Sequence, residues 1–424
     1  MEATDEFYSQ RLDSGVQVVG QRMSGVQSAA IGVLVGTGAR DEEPPDYGIS
    51  HFTEQMLFRG TEHLDARELS ERFDSLGISH DSSAGLEMTL VNAVLLGDKV
   101  PAAIDLLADV VRFPAFPQEA VDNVRTLLLQ ELGQREDRPP QKVMDLLRQR
   151  FFAGNPLGHD VLGTEETLHA IGRDDLYRYW EQRYTTNNML VSIAGNFDWS
   201  AVVEQLQRVT ESWPSGAGRM VLEVPSFHTG FHVVPSEKRQ QHIGFIFPGV
   251  AAADPEYYAN GLFAQALGGS SNSRLFREVR EKRGLAYAVQ ARFDGMERLG
   301  LVRIYAGTQA ERAHESVEVI MEELRKAQAS GITDEELRLS KTRLKSQLVM
   351  RSESTSARMF ANLRSWWFEQ QLHSLEEIKE RIDRVTLEDI SGLVQRLDIT
   401  HNLAGVAVGP RSEEELFGTM LARS

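Results

Sequence analysis

His51, Glu54 and Gln55 lie in the stretch GISHFTEQMLFRGT, residues 48–61. On a helix, positions i and i+4 sit one turn apart on the same side. Two imidazoles at that spacing can hold one zinc ion, and a glutamate between them can polarise a zinc-bound water. The order His-x-x-Glu-His runs opposite to the commoner His-Glu-x-x-His and serves the same geometry. Here the last position is Gln55. An amide is neutral and offers only a carbonyl oxygen, a weak zinc ligand beside imidazole or carboxylate. His63, His80, His159 and His169 are scattered, with no spacing that supplies the missing ligand. The chain has no cysteine, which excludes disulfides, thiolate metal sites and cysteine nucleophiles. No Gly-x-Ser-x-Gly elbow supports a serine hydrolase, and GGSSNS lacks the Gly-Lys-Ser/Thr ending of a phosphate loop.

Elements able to position such residues alternate along the chain. In ISHFTEQMLF, Ile49, Phe52 and Met56 share one helical face, with His51 and Gln55 on an adjacent one. SAAIGVLVGTGA reads as a buried strand ending in a glycine turn, and MTLVNAVLL and NNMLVSIAGNF as further strands. DARELSERFDSLG is a helix stopped at Gly77, PAAIDLLADVVRFP a helix framed by prolines, and QEAVDNVRTLLLQELGQRED a long helix carrying Glu131. The second half repeats this order. IGFIF at Ile243 answers IGVLV at Ile31, HESVEVIMEELRKAQASG answers the proline-framed helix, and TDEELRLSKTRLKSQLVMRSES answers the long one. A period of half the chain is too long for a solenoid and predicts two homologous α+β domains. Each is expected to be an antiparallel-rich sheet covered by helices on one face. The predicted boundaries are 1–213, a linker at 214–226 where tryptophan, proline and glycine cluster, and 227–424. The helix after AADPEYYANG has no counterpart of His51 or Glu54, which confines any metal site to the first domain.

The bulk properties bound the partners. The 424 residues carry a formal net charge of -17, which disfavours phosphate backbones and hence nucleic acid. Hydrophobic content of 41% is ordinary for a globular chain. The acidic start MEATDEFYSQRLDSG lacks the apolar core of a signal peptide, and no apolar run reaches the roughly 18 residues of a spanning helix. The expectation is a cytoplasmic protein with no membrane partner.

HFTEQMLFRGT is similar to the signature of the insulinase/pitrilysin metallopeptidases, closest in style to the group resembling the mitochondrial processing peptidase. The resemblance extends over almost the whole chain through FAGNPLGHDVLGTEETL and NSRLFREVREKRGLAYAVQARF. It implies zinc as cofactor, His51 as a ligand, Glu54 as catalytic base, and Gln55 at the position of the missing second histidine. It implies a third ligand on a long helix downstream, matched by Glu131, 76 residues beyond Gln55. The supporting acid the family often places seven residues before that ligand is Val124 here. Arg280 and Tyr287 have the seven-residue spacing of the family's arginine–tyrosine pair, which holds the substrate carbonyl. LGGSSNSRLF falls where processing peptidases carry a glycine-rich, substrate-contacting loop. Outside the resemblance, His51, Glu54 and Glu131 read as polar helix residues, Arg280 as a salt-bridging arginine and Tyr287 as core.

With two of three ligands, the expectation is weak or absent zinc. The leading expectation is a non-catalytic or substrate-binding subunit of a peptidase that cleaves peptides in an enclosed chamber. It would pair with itself or with a zinc-bearing paralogous subunit. Two alternatives stay open: an active zinc metalloendopeptidase with an altered site and Glu54 as base, and a structural or assembly protein retaining the fold.

Overall fold

The computed structural model describes residues 6–220 and 226–421. Of the linker expected at 214–226, residues 221–225 therefore lie outside the described residues. The fold is α+β, with two sheets built to one plan.

The first sheet has β1 (Glu6–Arg11), β2 (Gln17–Arg22), β3 (Ser28–Val35), β4 (Ser79–Ala84), β5 (Thr89–Leu96) and β6 (Met189–Gly195), ordered β1-β2-β6-β3-β5-β4. The second has β7 (Gly230–Pro235), β8 (Gln240–Gly249), β9 (Ala286–Gly295), β10 (Gly300–Gln309) and β11 (Ala404–Gly409), ordered β7-β11-β8-β10-β9. Without β1, the two orders coincide strand for strand. Each has one parallel pair, β2 with β6 and β7 with β11, and is otherwise antiparallel. The duplication read from the sequence is thus a duplication of topology.

Two compact units result. One takes Met1–Gly133, His159–Val221 and Val349–Ser374, the other Gln134–Gly158, Leu222–Leu348 and Leu375–Ser424. The first unit therefore owns a helix from late in the chain, Thr355–Glu369, and the second owns an early one, Pro139–Phe151.

In the first unit Ile31, Val33 and Val35 of β3 face the main core with Phe52, Leu107 and Val191. The alternate residues Ala30 and Leu34 face Met359 and Leu363 of the late helix. Helices cover both faces of this sheet, not one as expected. β3 is an unbroken apolar run for that reason, since a strand buried on both sides loses the alternation of a half-exposed one. Glycine makes the close approach possible: a Cβ on Gly36 would lie 2.5 Å from the Trp367 ring. In the second unit Gly244 does the same for Met144 of the early helix, at 2.7 Å. Among the described residues no helix is long and apolar enough to cross a membrane.

Candidate metal centre

The helix Ile49–Met56 begins at Gly48, whose φ of 93° suits only a residue without a Cβ. Glycine supplies no capping side chain, and the cap comes from Glu42. Its carboxylate accepts the backbone N–H of Gly48 at 2.7 Å and that of Ser50 at 2.9 Å. The Ser50 hydroxyl is 2.6 Å from the Tyr179 phenol, which is 2.7 Å from the Thr37 hydroxyl. These groups are all buried, so the start of the helix is fixed by a buried polar network. Burial pushes the Glu42 carboxyl up to about 7 against the amides that hold it down. None of these residues was singled out from the sequence. They act from a loop, a strand end and a distant helix, and no spacing connects them.

The predicted residues do converge. Glu131, on the helix Gln118–Glu136, places a carboxylate oxygen 3.1 Å from His51 Nε2. His51 Nδ1 is 3.2 Å from a carboxylate oxygen of Glu54. Glu54 is buried, His51 and Gln55 are half-buried, and Glu131 is exposed. Ser82, on the edge strand β4, donates its hydroxyl to Glu54, a contact that sequence reading missed. Burial alone would lower the His51 pKa. The Glu131 and Glu54 carboxylates outweigh it and hold the ring up at about 9. At neutral pH the ring then favours its protonated form between the two carboxylates, and a metal would have to displace that proton to bind it.

Gln55 settles the fit. Its side-chain nitrogen donates to Glu54 at 3.1 and 3.4 Å. A carboxylate has no proton to give back, so the NH₂ end is the one turned to it. Where a second imidazole would present a nitrogen lone pair, this chain presents an amide engaged with Glu54. A catalytic zinc takes three protein ligands and one open position. His51 and Glu131 supply two, and among the described residues no group of three or more His, Cys, Asp or Glu is placed to hold a metal ion. The donors do not fit a catalytic zinc. Val124 is buried in the first core, so the position of the supporting acid is a packing position here. Two of the other histidines are engaged elsewhere: His63 with Asp109 at 2.5 Å and His159 with the Ala39 carbonyl at 3.0 Å.

In the second unit Arg280 sits in a π-helical turn, Phe276–Glu281, exposed, with its guanidinium 4.8 Å from the centre of the Phe276 ring. Tyr287 follows at the start of β9. The β9–β10 register slips between Gly307 and Thr308, and such a bulge re-aims a side chain. The Tyr287 ring lies across Gly307, 2.5 Å from where a Cβ would stand. Its hydroxyl donates to Gln240 at 3.0 Å. Tyr287 is 45% exposed, so it is not the core residue that the reading outside the resemblance made it. In the glycine-rich loop, the Ser273 hydroxyl and backbone N–H both donate to the Ser270 carbonyl, at 2.6 and 3.1 Å.

Comparison with known proteins agrees with this architecture. Residues 17–165 match the family model described as Insulinase (Peptidase family M16), and residues 170–344 match the one described as Peptidase M16 inactive domain. The uncharacterized zinc protease YmxG of Bacillus subtilis is 34% identical over 94% of this chain and 97% of its own length. A relative in Streptomyces coelicolor, also described as an uncharacterized zinc protease, is 32% identical over 91% of this chain and 85% of its own. A crystal structure of a peptidase M16 inactive domain from Pseudomonas fluorescens superposes with a TM-score of 0.88 at 21% identity, over 96% of this chain and 98% of that one. A chain of complex III from Candida albicans superposes at 0.81 and 18% identity, over 95% of each chain, a likeness of fold.

Proposed function

The chain belongs to the insulinase family of peptidases, family M16, and we propose that within it this chain is a substrate-binding subunit without a catalytic zinc of its own. Arg280 and Tyr287 hold peptide, and a paralogous chain with an intact metal motif supplies the catalysis. The observation that carries this reading is the hydrogen bond from the Gln55 amide to Glu54. It occupies, with a neutral donor, the place where the motif needs a second imidazole. Glu54 remains as a buried carboxylate held by Ser82 and Gln55, a base with no firmly held water to act on. The exposed Arg280 and Tyr287 remain available to a peptide.

The second reading, an active endopeptidase with an altered site, has one finding in its favour: a relative 34% identical is described as an uncharacterized zinc protease. One experiment separates the two. Zinc content is measured by elemental analysis on the purified chain and on Gln55→His after dialysis against zinc, and each is assayed for peptide cleavage. The expected result is far less than one zinc per parent chain, with no chelator-sensitive cleavage, and about one zinc per Gln55→His chain. Stoichiometric zinc with chelator-sensitive cleavage in the parent would overturn the proposal.

A further inference from the structure

The second unit contains a cleft of about 710 Å³ that touches the proposed site only at Tyr287. That volume lies within the range of about 300–1,000 Å³ usual for ligand pockets. Its floor is one face of the second sheet. His242 stands opposite Gly307 in the β8–β10 ladder and Tyr305 opposite Gly244, so both share the face on which Gly244 meets Met144 of the early helix. His242 and Tyr305 are 4% and 7% exposed, and His242 Nδ1 is 2.8 Å from the Tyr305 hydroxyl. Burial, helped by the Lys238 charge, pushes the His242 ring down, so the floor is neutral at pH 7 and disfavours a charged group there.

One side wall is the bulged Tyr287. The other is the ring pair Pro139 and Pro140, which opens the early helix. Two proline rings and two tyrosine rings thus line one cleft, a lining suited to a flat or bulky apolar side chain.

The mouth is different. Lys238 and Arg239 line it, Lys238 within 3.6 Å of an Asp137 carboxylate oxygen. Arg239 is exposed and has no ion pair among the described residues. An acidic chain of net charge -17 thus places an uncompensated guanidinium at the edge of an apolar slot. Distant charges are screened beyond roughly 10 Å at ordinary salt, so the mouth, not the total, sets what is attracted there.

From this arrangement we infer that the cleft binds a peptide by one aromatic or large aliphatic side chain seated between the prolines and the tyrosines, with a carboxylate of the same peptide held by Arg239. The inference rests on the reading of Tyr287 as a peptide-binding residue and adds to it a substrate class, acidic and apolar in adjacent positions. The planar fork of arginine favours a carboxylate held by two parallel hydrogen bonds. That carboxylate comes either from an aspartate or glutamate side chain or from a peptide C-terminus.

The test is fluorescence anisotropy with the full chain and a labelled glycine/serine-spaced peptide containing one phenylalanine followed by one aspartate. Companion peptides replace the aspartate by asparagine or the phenylalanine by alanine, and each is made as free acid and as amide. The expected result is binding weakened about tenfold by loss of the carboxylate, the scale of one charge-assisted pair, and weakened further by loss of the ring. Arg239→Gln should erase the tenfold preference while leaving the unfolding midpoint unchanged. A loss on asparagine replacement identifies the side chain as the source, and a loss on amidation identifies the C-terminus. If the peptides bind and Arg280→Ala weakens them all, but no carboxylate preference exists or Arg239→Gln leaves it intact, the cleft inference falls and the peptide-binding reading survives. If no peptide binds, both fall.

Discussion

Glu42 carries the start of the His51 helix as a buried carboxylate, and that makes its protonation a matter of stability. The ordinary carboxyl value is 4.5, and burial raises the folded one to about 7. The folded chain therefore keeps a proton between those values that the unfolded chain releases. The contribution of this group is complete below pH 4.5 and is lost as pH rises toward 7. At about 1.4 kcal/mol per unit the loss is about 3 kcal/mol. Glu42→Gln keeps an acceptor for the helix N–H groups and removes the titration. Urea denaturation of both proteins at about pH 5 and pH 8 should show the parent losing about 3 kcal/mol relative to the variant over that interval. A difference that does not change with pH would mean that burial does not perturb Glu42. His51, Glu54 and Glu131 were legible in the sequence because helical spacing and one downstream count connect them. Glu42 and Ser82 were not, because a cap from a loop and a hydroxyl from an edge strand leave no period to read. Gln55 was legible as a missing ligand, but its donation to Glu54 depends on rotamers that only the fold sets.

At the scale of elements, periodicity identified the helices and said nothing of which sheet each would cover. The late helix Thr355–Glu369 and the early helix Pro139–Phe151 each pack in the unit built mainly from the other half of the chain. Their apolar stripes look like those of any amphipathic helix, so the exchange is invisible until the sheets exist. The glycines are its sequence trace, and Gly36 was read only as part of a turn at a strand end. Gly36 stands between the Trp367 ring and Asn188 Oδ1, at 2.5 and 2.6 Å from an added Cβ. Overpacking of this kind costs about 1–3 kcal/mol, so Gly36→Ala should lower the unfolding free energy by that amount. Gly133, on the Glu131 helix, has nothing within 4 Å of an added Cβ. Gly133→Ala should therefore gain about 0.5–1 kcal/mol from helix propensity alone. Equal effects from the two substitutions would show that the helix does not press on the sheet at Gly36. The bulge at Tyr287 was hidden in the same way. The sequence shows the tyrosine seven residues after Arg280, but only the slipped register turns its ring onto Gly307.

For the whole molecule, the duplication has made two sheets of one topology with different chemistry. The helix Ile49–Met56 in the first unit bears His51, Glu54 and Gln55, whereas its counterpart Tyr257–Gly268 has no histidine or carboxylate. The second unit instead carries Arg280 and Tyr287 on the turn and strand that follow. One chain therefore holds a His-x-x-Glu-Gln sequence in its first unit and Arg280 and Tyr287 in its second, and under the proposed function the second set does its half of the work. That asymmetry leads to a prediction about activity in mixtures. Purified alone, this chain should show no chelator-sensitive cleavage of a quenched fluorescent peptide. Mixed in equal amounts with a paralogous chain bearing an intact His-x-x-Glu-His motif, it should raise the rate above that of the paralogue alone. Arg280→Ala and Tyr287→Phe in this chain should each reduce the gain, by up to about a hundredfold, the scale of losing one group that stabilises charge developing on a substrate carbonyl. Glu54→Gln in this chain should leave the gain unchanged, because its carboxylate is tied to Ser82 and Gln55. A mixture that loses its activity with Glu54→Gln would place the base, and the chemistry, in this chain after all. A gain indifferent to Arg280 and Tyr287 would remove the peptide-binding role.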